Sequence, residues 1–366
     1  MIIEGNSSST ASAQFDVSHL DFRQLSKSSL SQVIDYLDHV RLDDHYPFRG
    51  RTIIGPLGKT RGSVIFRCMA QENKSALAIK FCVDPVTKLA APSEARRQFM
   101  ALQRVRKAAD GNRIVRTPRP VMLLEECACI IMDWIDGLSV ADALMSRATS
   151  QADVVRWSRQ AGAWLAAFHQ LNSNSLGSTD TTLMLARLER ATIGAGMTSN
   201  DPLFHRAVEQ LRRTESLVKS VSLPVAWRHG DFKAQNLLIV DGNLLFGLDL
   251  DVQDQDVIAA DLAKFIDDIE LLSWHPRAWR LRRDRNLVID AFLTGYKWDR
   301  HLPLRLPLAW LRLYRLLQEW LEFETTATLS PTHIYKRLCF KGYCRYLSMG
   351  LQRQFEHPEM GGAATE

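Results

Sequence analysis

Apolar and polar positions follow different periods in the two main parts of this 366-residue chain. Between residues 51 and 137, short runs of apolar, strand-forming residues are separated by Gly or polar turns and surround one segment of helical periodicity, Pro92–Arg106. Between residues 138 and 356, apolar positions recur mainly at helical spacing. The predicted strands are Thr52–Ile54, Ser63–Cys68, Leu77–Val83, Pro120–Leu124 and Cys129–Trp134, and the later predicted helices are Gln151–Leu171, Leu203–Leu217, Ala260–Leu272, Leu287–Tyr296, Leu308–Phe323 and His333–Leu351. These patterns predict an α+β protein with a strand-rich N-lobe over 51–137 and a mostly helical C-lobe over 138–356.

The two ends of the chain differ in composition from the rest. Residues 1 to about 17 are rich in Ser, Ala and Thr, which is typical of disorder, whereas Ser18–Val40 has the apolar spacing of a helix. We therefore expect an N-terminal extension over 1–50 and a frayed tail over 357–366. The sequence leaves the role of the extension open.

Composition and charge argue against several classes of protein. The net charge of +5 comes from 46 basic and 41 acidic residues, and no Lys/Arg block indicates nucleic-acid binding. The densest basic stretch, Arg277–Arg285, is interpreted as a solvated helix face, with a phosphate or partner contact as the alternative. No secretory signal and no apolar run of about 18 residues is seen, so no membrane span is expected. The six cysteines show no paired C-x-x-C spacing, and we expect reduced thiols in a cytoplasmic protein.

A hairpin interrupts the helical part of the chain. Two apolar runs, Leu237–Val240 and Leu244–Leu248, flank the turn sequence Asp241-Gly242-Asn243, whose Gly and Asn tolerate positive φ. When this hairpin closes, its open ends meet. Asn236 and Asp249 should then lie close together although they are thirteen positions apart.

Oxygen-bearing side chains that meet at one loop mouth suit a hard divalent cation. Mg²⁺ prefers oxygen ligands, keeps several waters and is usually completed by substrate phosphates, so Asn236 and Asp249 are candidate metal ligands. Asp231, on the loop before the hairpin, remains available to accept the proton of an attacking hydroxyl. Taken alone, however, a hairpin with polar ends is more often a solvated surface feature.

The spacing of these residues resembles the catalytic and metal-binding loops of kinases. The sequence HGD at 229–231, followed by Asn236 and Asp249, is most similar to the aminoglycoside phosphotransferase and choline kinase family, where HGDxxxxN is the usual form. Asp261-Leu262-Ala263 matches the family's DLA, whereas Asp256-Val257 stands where the family has Gly-Asp. The resemblance covers about residues 50 to 350. It implies a bilobal protein-kinase-like fold that uses ATP and Mg²⁺ to phosphorylate a hydroxyl of a small molecule.

The resemblance also implies roles for individual residues. Asp231 is the expected base, Asn236 and Asp249 the expected metal ligands, and Lys233 a group that neutralises the γ-phosphate. The implied nucleotide contacts are Lys80 for the α- and β-phosphates, Glu94 to fix Lys80, Ala78 and Val64 on the adenine faces, Ser63 as a backbone donor, and Asp133 C=O with Ile135 N–H at the adenine edge, in an interlobe hinge that ends near Gly137.

Three further features are assigned to structure or to the nucleotide loop. His169, in a segment similar to the family's LAxLH helix, and His229 are interpreted as core or loop-bracing histidines. The segment 55–60 ends in Gly-Lys-Thr but has Ile53 where a P-loop needs its first Gly, and it lies between strands. We expect it to form a flexible loop over the phosphates, with a plain hairpin turn as the alternative.

The sequence does not identify the molecule that accepts the phosphoryl group. A set of acidic residues follows the hairpin and recurs near the C-terminus: Asp251, Asp254, Asp256, Asp267, Asp268, Glu270, Glu319, Glu322 and Glu324. They could favour a cationic acceptor such as an aminoglycoside or amino-alcohol, or form a solvated face, and a sugar or glycan hydroxyl is an equal candidate. Alternative functions are a nucleotide-binding pseudokinase scaffold and a protein-phosphorylating enzyme of the same superfamily. The oligomeric state and the preference for ATP over GTP are not specified by the sequence.

Overall fold

The chain forms two compact units. The computed structural model describes residues 51–59, 62–70, 76–84, 87, 89–173, 175–195, 201–252, 255–276, 278–298, 305–325 and 331–356. Of these residues, the first unit comprises those between 51 and 103 together with 118–134, and the second comprises 104–117 together with those between 135 and 356. The predicted helix Ser18–Val40 and the predicted tail lie outside the described residues.

The first unit contains a five-stranded antiparallel sheet. Its strands are β1 (Arg51–Lys59), β2 (Ser63–Ala70), β3 (Ala76–Cys82), β4 (Pro120–Leu124) and β5 (Cys129–Asp133), in the spatial order β1-β2-β3-β5-β4. One face carries an apolar cluster that includes Val64, Phe66 and Phe81. On the other face, Cys82 and Ile130 pack with Ala95 and Phe99 of the one long helix, α1 (Pro92–Ala108).

Helix α1 begins and ends as its sequence dictates. Pro92 occupies the first helical position, where its missing N–H costs nothing, and Glu94 in the first turn complements the positive end of the helix dipole. Arg106 and Lys107 occupy the last turn, where a positive charge is favoured. The helix therefore agrees with the predicted segment to within two residues.

The segment that we expected to form a loop, residues 55–59, belongs to strand β1. The pairing of β1 with β2 shifts register between Ile54 and Gly58, so the extra residues are accommodated as an irregularity within the strand. The glycines thus loosen the pairing without ending the strand.

The second unit is mostly helical. Its helices are α2 (Val140–Met145), α3 (Gln151–Gln170), α4 (Thr181–Ala195), α5 (Pro202–Lys219), α6 (Ala259–Ser273), α7 (Trp279–Tyr296), α8 (Arg305–Thr325) and α9 (Pro331–Glu356). Side-chain caps fix several starts: Ser150 accepts a hydrogen bond from Asp153 N–H, and Asp201 accepts one from Leu203 N–H beside Pro202. The six longer helices predicted from periodicity are all present, whereas α2 and α4 were not predicted.

Two small sheets complete the second unit. Strands β9 (Leu237–Val240) and β10 (Leu244–Gly247) pair with each other, and β9 also pairs with the short β6 (Leu138–Ser139). The other sheet places β8 (Leu223–Trp227) between β7 (Ser175–Gly177) and β11 (Gln255–Val257). Only the β9–β10 pair was predicted.

One stretch of the chain departs from the predicted lobe boundary. Residues 104–117 belong to the second unit, although we expected them in the N-lobe. The reason is visible at Arg116, whose carbonyl oxygen accepts hydrogen bonds from Gly247 N–H at 2.9 Å and Trp164 Nε1–H at 3.3 Å. Backbone contacts of this kind are invisible to side-chain periodicity.

Helices α3 and α7 touch through their backbones. A Cβ atom placed on Gly162 would lie 2.0 Å from Phe292 O, and one on Gly295 would lie 1.9 Å from Arg159 O. No other residue fits at these positions without separating the helices. This contact fixes the position of α3, which carries several residues behind the hairpin.

All six cysteines are buried free thiols. None of the helices described above is both long and apolar enough to cross a membrane.

The glycine contact gives a stability prediction. Gly162→Ala should lower the free energy of unfolding by about 2 kcal/mol, because the added methyl group forces the helices apart. The matched control is Gly350→Ala, also inside a helix, where an added Cβ meets nothing within 4 Å. It should stabilise the protein by up to about 1 kcal/mol, because alanine is the better helix former. Urea unfolding followed by circular dichroism measures both, and equal effects of the two substitutions would contradict the close contact.

Candidate active site

The predicted hairpin forms with the expected register. Leu237 pairs with Gly247, and Leu248 N–H donates to Asn236 O at 2.8 Å, one step beyond the strands. Asp241 and Gly242 at the turn have φ values of 49° and 71°, the left-handed region that Gly and Asp tolerate. The backbones of Asn236 and Leu248 are therefore hydrogen-bonded neighbours, and Asp249 follows directly.

The hairpin turn is held by helix α3. Trp157 Nε1–H donates to Gly242 O at 3.0 Å, and Gln160 Nε2–H donates to Asn243 O at 3.0 Å. Arg156 adds a longer contact of 3.4 Å to Gly242 O. The turn is exposed, yet its carbonyl groups are satisfied by side chains of one rigid helix.

Asn236 is oriented by Asp231. The buried amide donates from Nδ2 to the backbone oxygen of Asp231 at 2.9 Å and to its carboxylate Oδ2 at 3.0 Å. Because the nitrogen is committed to these two acceptors, the other amide atom, Oδ1, is the one that can act as a ligand. This orientation fits the predicted metal-binding role of Asn236.

Asp249 adopts an unusual backbone conformation. Its φ of 53° lies in the left-handed region, which is uncommon for residues other than Gly but which Asp and Asn adopt more readily than most. Within the described part of the chain, no group of three or more His, Cys, Asp or Glu side chains could hold a metal ion. Asn236 and Asp249 would supply two oxygen ligands, and a hard divalent ion can take its remaining ligands from water and phosphates.

Gly230 permits a close approach of the catalytic loop to the strand end. Its φ is 82°, and an added Cβ would lie 2.8 Å from Asp251 Cβ. Next to it, Asp251 N–H donates to His229 O at 2.9 Å. The glycine in HGD is therefore required by both conformation and space.

Asp261, in the first turn of α6, anchors the same loop. Its buried carboxylate accepts hydrogen bonds from His229 N–H at 2.7 Å, Gly230 N–H at 3.1 Å and His169 Nε2 at 3.2 Å. Burial alone would raise the pKa of Asp261, but the hydrogen bond and charge of His169, together with the charge of Arg228, lower it to about 2. The carboxylate is thus ionised at neutral pH and holds two backbone amides in place.

His169 is a core residue, as expected. Its Nδ1 lies 2.8 Å from Tyr296 OH, and its Nε2 faces Asp261. With Nε2 donating to the carboxylate, Nδ1 accepts from the tyrosine hydroxyl. His169 is therefore a buried residue that orients Asp261.

His229 is also structural. Its ring is fully buried against Trp164, Phe168 and Phe232. Burial lowers the pKa of His229, and within the described residues neither ring nitrogen has a hydrogen-bond partner. A neutral, enclosed imidazole braces the loop, in agreement with the expectation from sequence.

Two lysines surround the carboxylate of Asp231. Lys233 Nζ lies 2.5 Å from Oδ2, and Lys264 Nζ lies 3.8 Å from Oδ1. Burial tends to lower the pKa of Lys233, but the charge of Asp231 and its hydrogen bond outweigh this and raise it. Lys233 was predicted from sequence, whereas Lys264 was missed.

In the first unit, Lys80 and Glu94 carry complementary charges. Burial tends to raise the pKa of Glu94, but hydrogen bonds from Arg97 and Gln98 lower it, and the charge of Lys80 adds to that effect. Arg97 NH2 lies 2.6 Å from both oxygens of Glu94, and Gln98 Nε2 lies 2.5 Å from Oε1. Glu94 thus has strong partners on its own helix, and a direct role in fixing Lys80 stays a prediction.

Val64 was predicted to contact adenine together with Ala78, but the two residues lie on opposite faces of the sheet. Cross-strand partners share a face of a sheet, and Val64 pairs with Phe81, whereas Ile65 pairs with Lys80 and Arg67 with Ala78. Val64 therefore lies in the apolar cluster on the face opposite Lys80 and Ala78. Ile65 shares their face and is the better candidate.

The remaining nucleotide candidates lie at the ends of strands. Ser63 is buried at the start of β2 and pairs with Cys82. At the end of β5, Asp133 N–H donates to Arg119 O at 3.0 Å and Trp134 N–H donates to Ala76 O at 2.9 Å. The adenine-edge roles of the Asp133 C=O and of the Ile135 N–H stay predictions.

Five of the acidic residues considered for a cationic acceptor have basic partners, and two of them are Asp256 beside Arg228 and Glu324 beside Arg337. Arg312 Nε lies 2.8 Å from Asp267 Oδ1, Arg285 NH1 3.3 Å from Glu270 Oε2, and Lys264 Nζ 2.6 Å from Glu319 Oε1. Asp268 accepts Ala234 N–H at 2.9 Å, and burial raises its pKa to about 6. These six side chains are therefore tied to partners within the protein, and the choice between a cationic acceptor and a solvated face stays a prediction for the remaining acidic residues.

Sequence reasoning noticed Asp261 only as part of a motif and did not assign its role. A single charged residue in the apolar first turn of a helix, AADLA, was the available signal, because such a residue is rarely buried without partners. Lys264 and Glu319 gave no such signal, since their contact joins two helices 55 positions apart.

Asp261→Asn should lower the free energy of unfolding by about 3 kcal/mol at neutral pH, because two backbone amides lose a charged acceptor. Because the pKa of Asp261 is lower in the folded protein than in the unfolded chain, the ionised carboxylate stabilises the fold fully above the unfolded pKa of about 4. This contribution is lost as the pH falls through the folded pKa of about 2. The difference from wild type should therefore shrink between pH 4 and 2. Urea titrations across this range measure it, with Asp110→Asn on the surface as the control. A difference that does not vary with pH would refute the ionised anchor.

Comparison with known proteins supports the motif resemblance. The model of the Phosphotransferase enzyme family (APH) matches residues 84–304, which include the whole hairpin and Asp261. No curated protein sequence matches the chain significantly.

Solved structures of similar fold include three kinases. A choline/ethanolamine kinase family protein from Mesorhizobium loti is 13% identical with a TM-score of 0.61, covering 90% of this chain and 99% of that chain. An amicoumacin kinase in complex with AMP-PNP and Ca²⁺ is 11% identical with a TM-score of 0.57, covering 88% and 94%. A thermostable mutant of an aminoglycoside phosphotransferase is 12% identical with a TM-score of 0.55, covering 86% and 96%. These likenesses confirm the predicted α+β kinase-like fold, and the family match shows that the chain belongs to the Phosphotransferase enzyme family.

Proposed function

We propose that the protein transfers the γ-phosphoryl group of ATP to a hydroxyl of a small molecule with the help of Mg²⁺. Membership of a phosphotransferase family supports the reaction type. The observation that carries the proposal is the geometry around Asp231: a half-exposed carboxylate that is tied to Asn236, faced by Lys233, and held on a loop anchored by Asp261.

Asn236 and Asp249 are the residues that would hold the metal ion. The amide oxygen left free by the Asn236–Asp231 contact and the Asp249 carboxylate offer two oxygen ligands from adjoining backbone positions. A bound Mg²⁺ would neutralise charge on the phosphates. In the first unit, Lys80 is the candidate for contact with the α- and β-phosphates.

Asp231 would receive the acceptor. The hydroxyl donates its hydrogen bond to the carboxylate, and its oxygen forms a bond to the γ-phosphorus while the bond from phosphorus to the bridging oxygen breaks. The proton passes to Asp231, and ADP leaves with the electron pair of the broken bond. Asp231 lies on a loop fixed by backbone contacts, which is the positioning that phosphoryl transfer depends on.

Lys233 would stabilise the group in transfer. It lies on Asp231 Oδ2 and keeps its positive charge at neutral pH, since its pKa is raised. An ammonium group at this point can neutralise phosphoryl oxygens as charge redistributes. In the absence of nucleotide it serves as the counter-ion of Asp231.

The solved relatives include kinases of glucosamine, choline and amicoumacin, which indicates a small hydroxyl compound as acceptor. Two other outcomes stay testable. ATP and Mg²⁺ binding without turnover on any acceptor would indicate a scaffold, and phosphate incorporation into proteins would indicate a protein kinase.

Asp231→Asn should lower kcat by about two to four orders of magnitude, because the amide cannot take the hydroxyl proton. ATP binding should persist, since the amide retains the shape of the side chain. Coupled ADP-release kinetics give kcat and calorimetry gives ATP affinity. Asp110→Asn, an exposed change of the same type, is the control, and full turnover in the Asp231 variant would sink the assignment.

Asp249→Ala should raise the Mg²⁺ concentration needed for half-maximal ATP consumption at least tenfold, because one of two protein ligands is lost. Titration of activity with Mg²⁺ at constant ATP measures this, with Asp110→Ala as the control. An unchanged Mg²⁺ dependence would exclude Asp249 as a ligand.

A further inference from the structure

Lys264, on helix α6, lies beside the proposed base and was not part of any motif. Its Nζ is 3.8 Å from Asp231 Oδ1 and 2.6 Å from Glu319 Oε1 on α8. Arg315 NH2, one turn before Glu319, is 3.5 Å from the same Glu319 oxygen. Glu319 is thus shared by two cations, Lys264 and Arg315.

Lys264 lies on the side of Asp231 from which an acceptor hydroxyl would approach. Lys233 already occupies Oδ2 of Asp231, so a hydroxyl that donates to Asp231 approaches the Oδ1 side. Any group bonded to that hydroxyl's carbon then comes within reach of Lys264, since Nζ is 3.8 Å from Oδ1. The ammonium has three donor hydrogens, and its hydrogen bond to Glu319 uses one of them.

Three acids near Lys264 already have basic partners. Asp267 and Glu270 on α6 have arginine partners at 2.8 and 3.3 Å, and Glu319 has Lys264. A cationic acceptor would have to displace one of these partners. Removing one member of a partly desolvated ion pair is unfavourable, because the other charge is left without a partner. An anionic acceptor disturbs none of them.

We propose that Lys264, held by Glu319, is a specificity-determining residue that binds an oxyanion, carboxylate or phosphate, next to the acceptor hydroxyl. This inference rests on the proposed function. It makes the preferred acceptor a hydroxy acid, sugar acid or sugar phosphate, and it disfavours polyamines such as aminoglycosides. Lys264 takes no proton and forms no covalent bond in the transfer.

The first test compares acceptors that share a skeleton and differ in charge. A hexose series consists of glucose, glucuronate, glucose 6-phosphate and glucosamine, and a glycerol series consists of glycerol, glycerate, glycerol 3-phosphate and 3-amino-1,2-propanediol. Binding to the full-length protein with ADP and Mg²⁺ is measured by calorimetry, and turnover by ADP release. In at least one series an anionic member should bind about tenfold more tightly than its neutral and amine counterparts. Preference for the carboxylate or for the phosphate ester identifies the source of the oxyanion. Tightest binding by an amine, or no anionic advantage in either series, overturns the proposal.

The second test changes Lys264 itself. Lys264→Met should raise the Kd and KM of the best anionic compound about tenfold more than those of its neutral counterpart. Lys264→Arg should retain most of the preference because it keeps the charge. Lys219→Met, on an exposed position at the end of α5, is the control and should change nothing. An equal loss for anionic and neutral compounds in Lys264→Met would show a merely structural role and reject the proposal.

Failure of the inference is distinguishable from failure of the proposed function. ATP hydrolysis with water as acceptor requires Asp249 and Mg²⁺ but no oxyanion. If that hydrolysis is present in wild type and lost in Asp249→Ala while no anionic compound is preferred, the phosphotransfer assignment stands and the specificity assignment falls.

Discussion

The hydrogen bonds to the Asp261 carboxylate are the interactions on which the site depends. One buried charge accepts the backbone amides of His229 and Gly230, so the residues before Asp231 are fixed to the first turn of α6. His169 and Tyr296 extend the contact into helices α3 and α7. The expense of burying a carboxylate is offset because every partner is a donor and the pKa is pulled down to about 2. An apolar residue at this position would leave the amides of His229 and Gly230 without an acceptor.

Local sequence was sufficient to predict the hairpin and its consequences. The turn residues Asp241 and Gly242 adopt the positive φ values that their identity permits, and the apolar runs pair in the register that brings Asn236 next to Leu248. Helices with a strong apolar stripe were also found, because burial imposes their period. The features predicted correctly are therefore those encoded within about a dozen neighbouring residues.

The features that the sequence did not predict depend on contacts between distant segments. The face of the sheet on which Val64 lies is set by its register with Phe81, and register depends on the whole strand pairing rather than on the motif around Lys80. The Arg116 carbonyl draws residues 104–117 into the second unit through bonds to residues 48 and 131 positions further on. The acidic residues on α6 and α8 looked like a negative surface in the sequence, but arginine and lysine from other helices neutralise them. Composition alone does not tell which charges become partners.

The hydrogen bonds from α3 to the hairpin turn have a consequence for how the protein tolerates change. Exposed β-turns are usually the safest places to insert residues or attach a tag. Here the carbonyls of Gly242 and Asn243 are bound by Trp157 and Gln160, so the number of residues in the turn is fixed by a helix outside it. An added residue would slip the strand ends past each other, and Asp249 would leave its place beside Asn236. The turn is exposed, but its length has to be preserved together with the candidate active site.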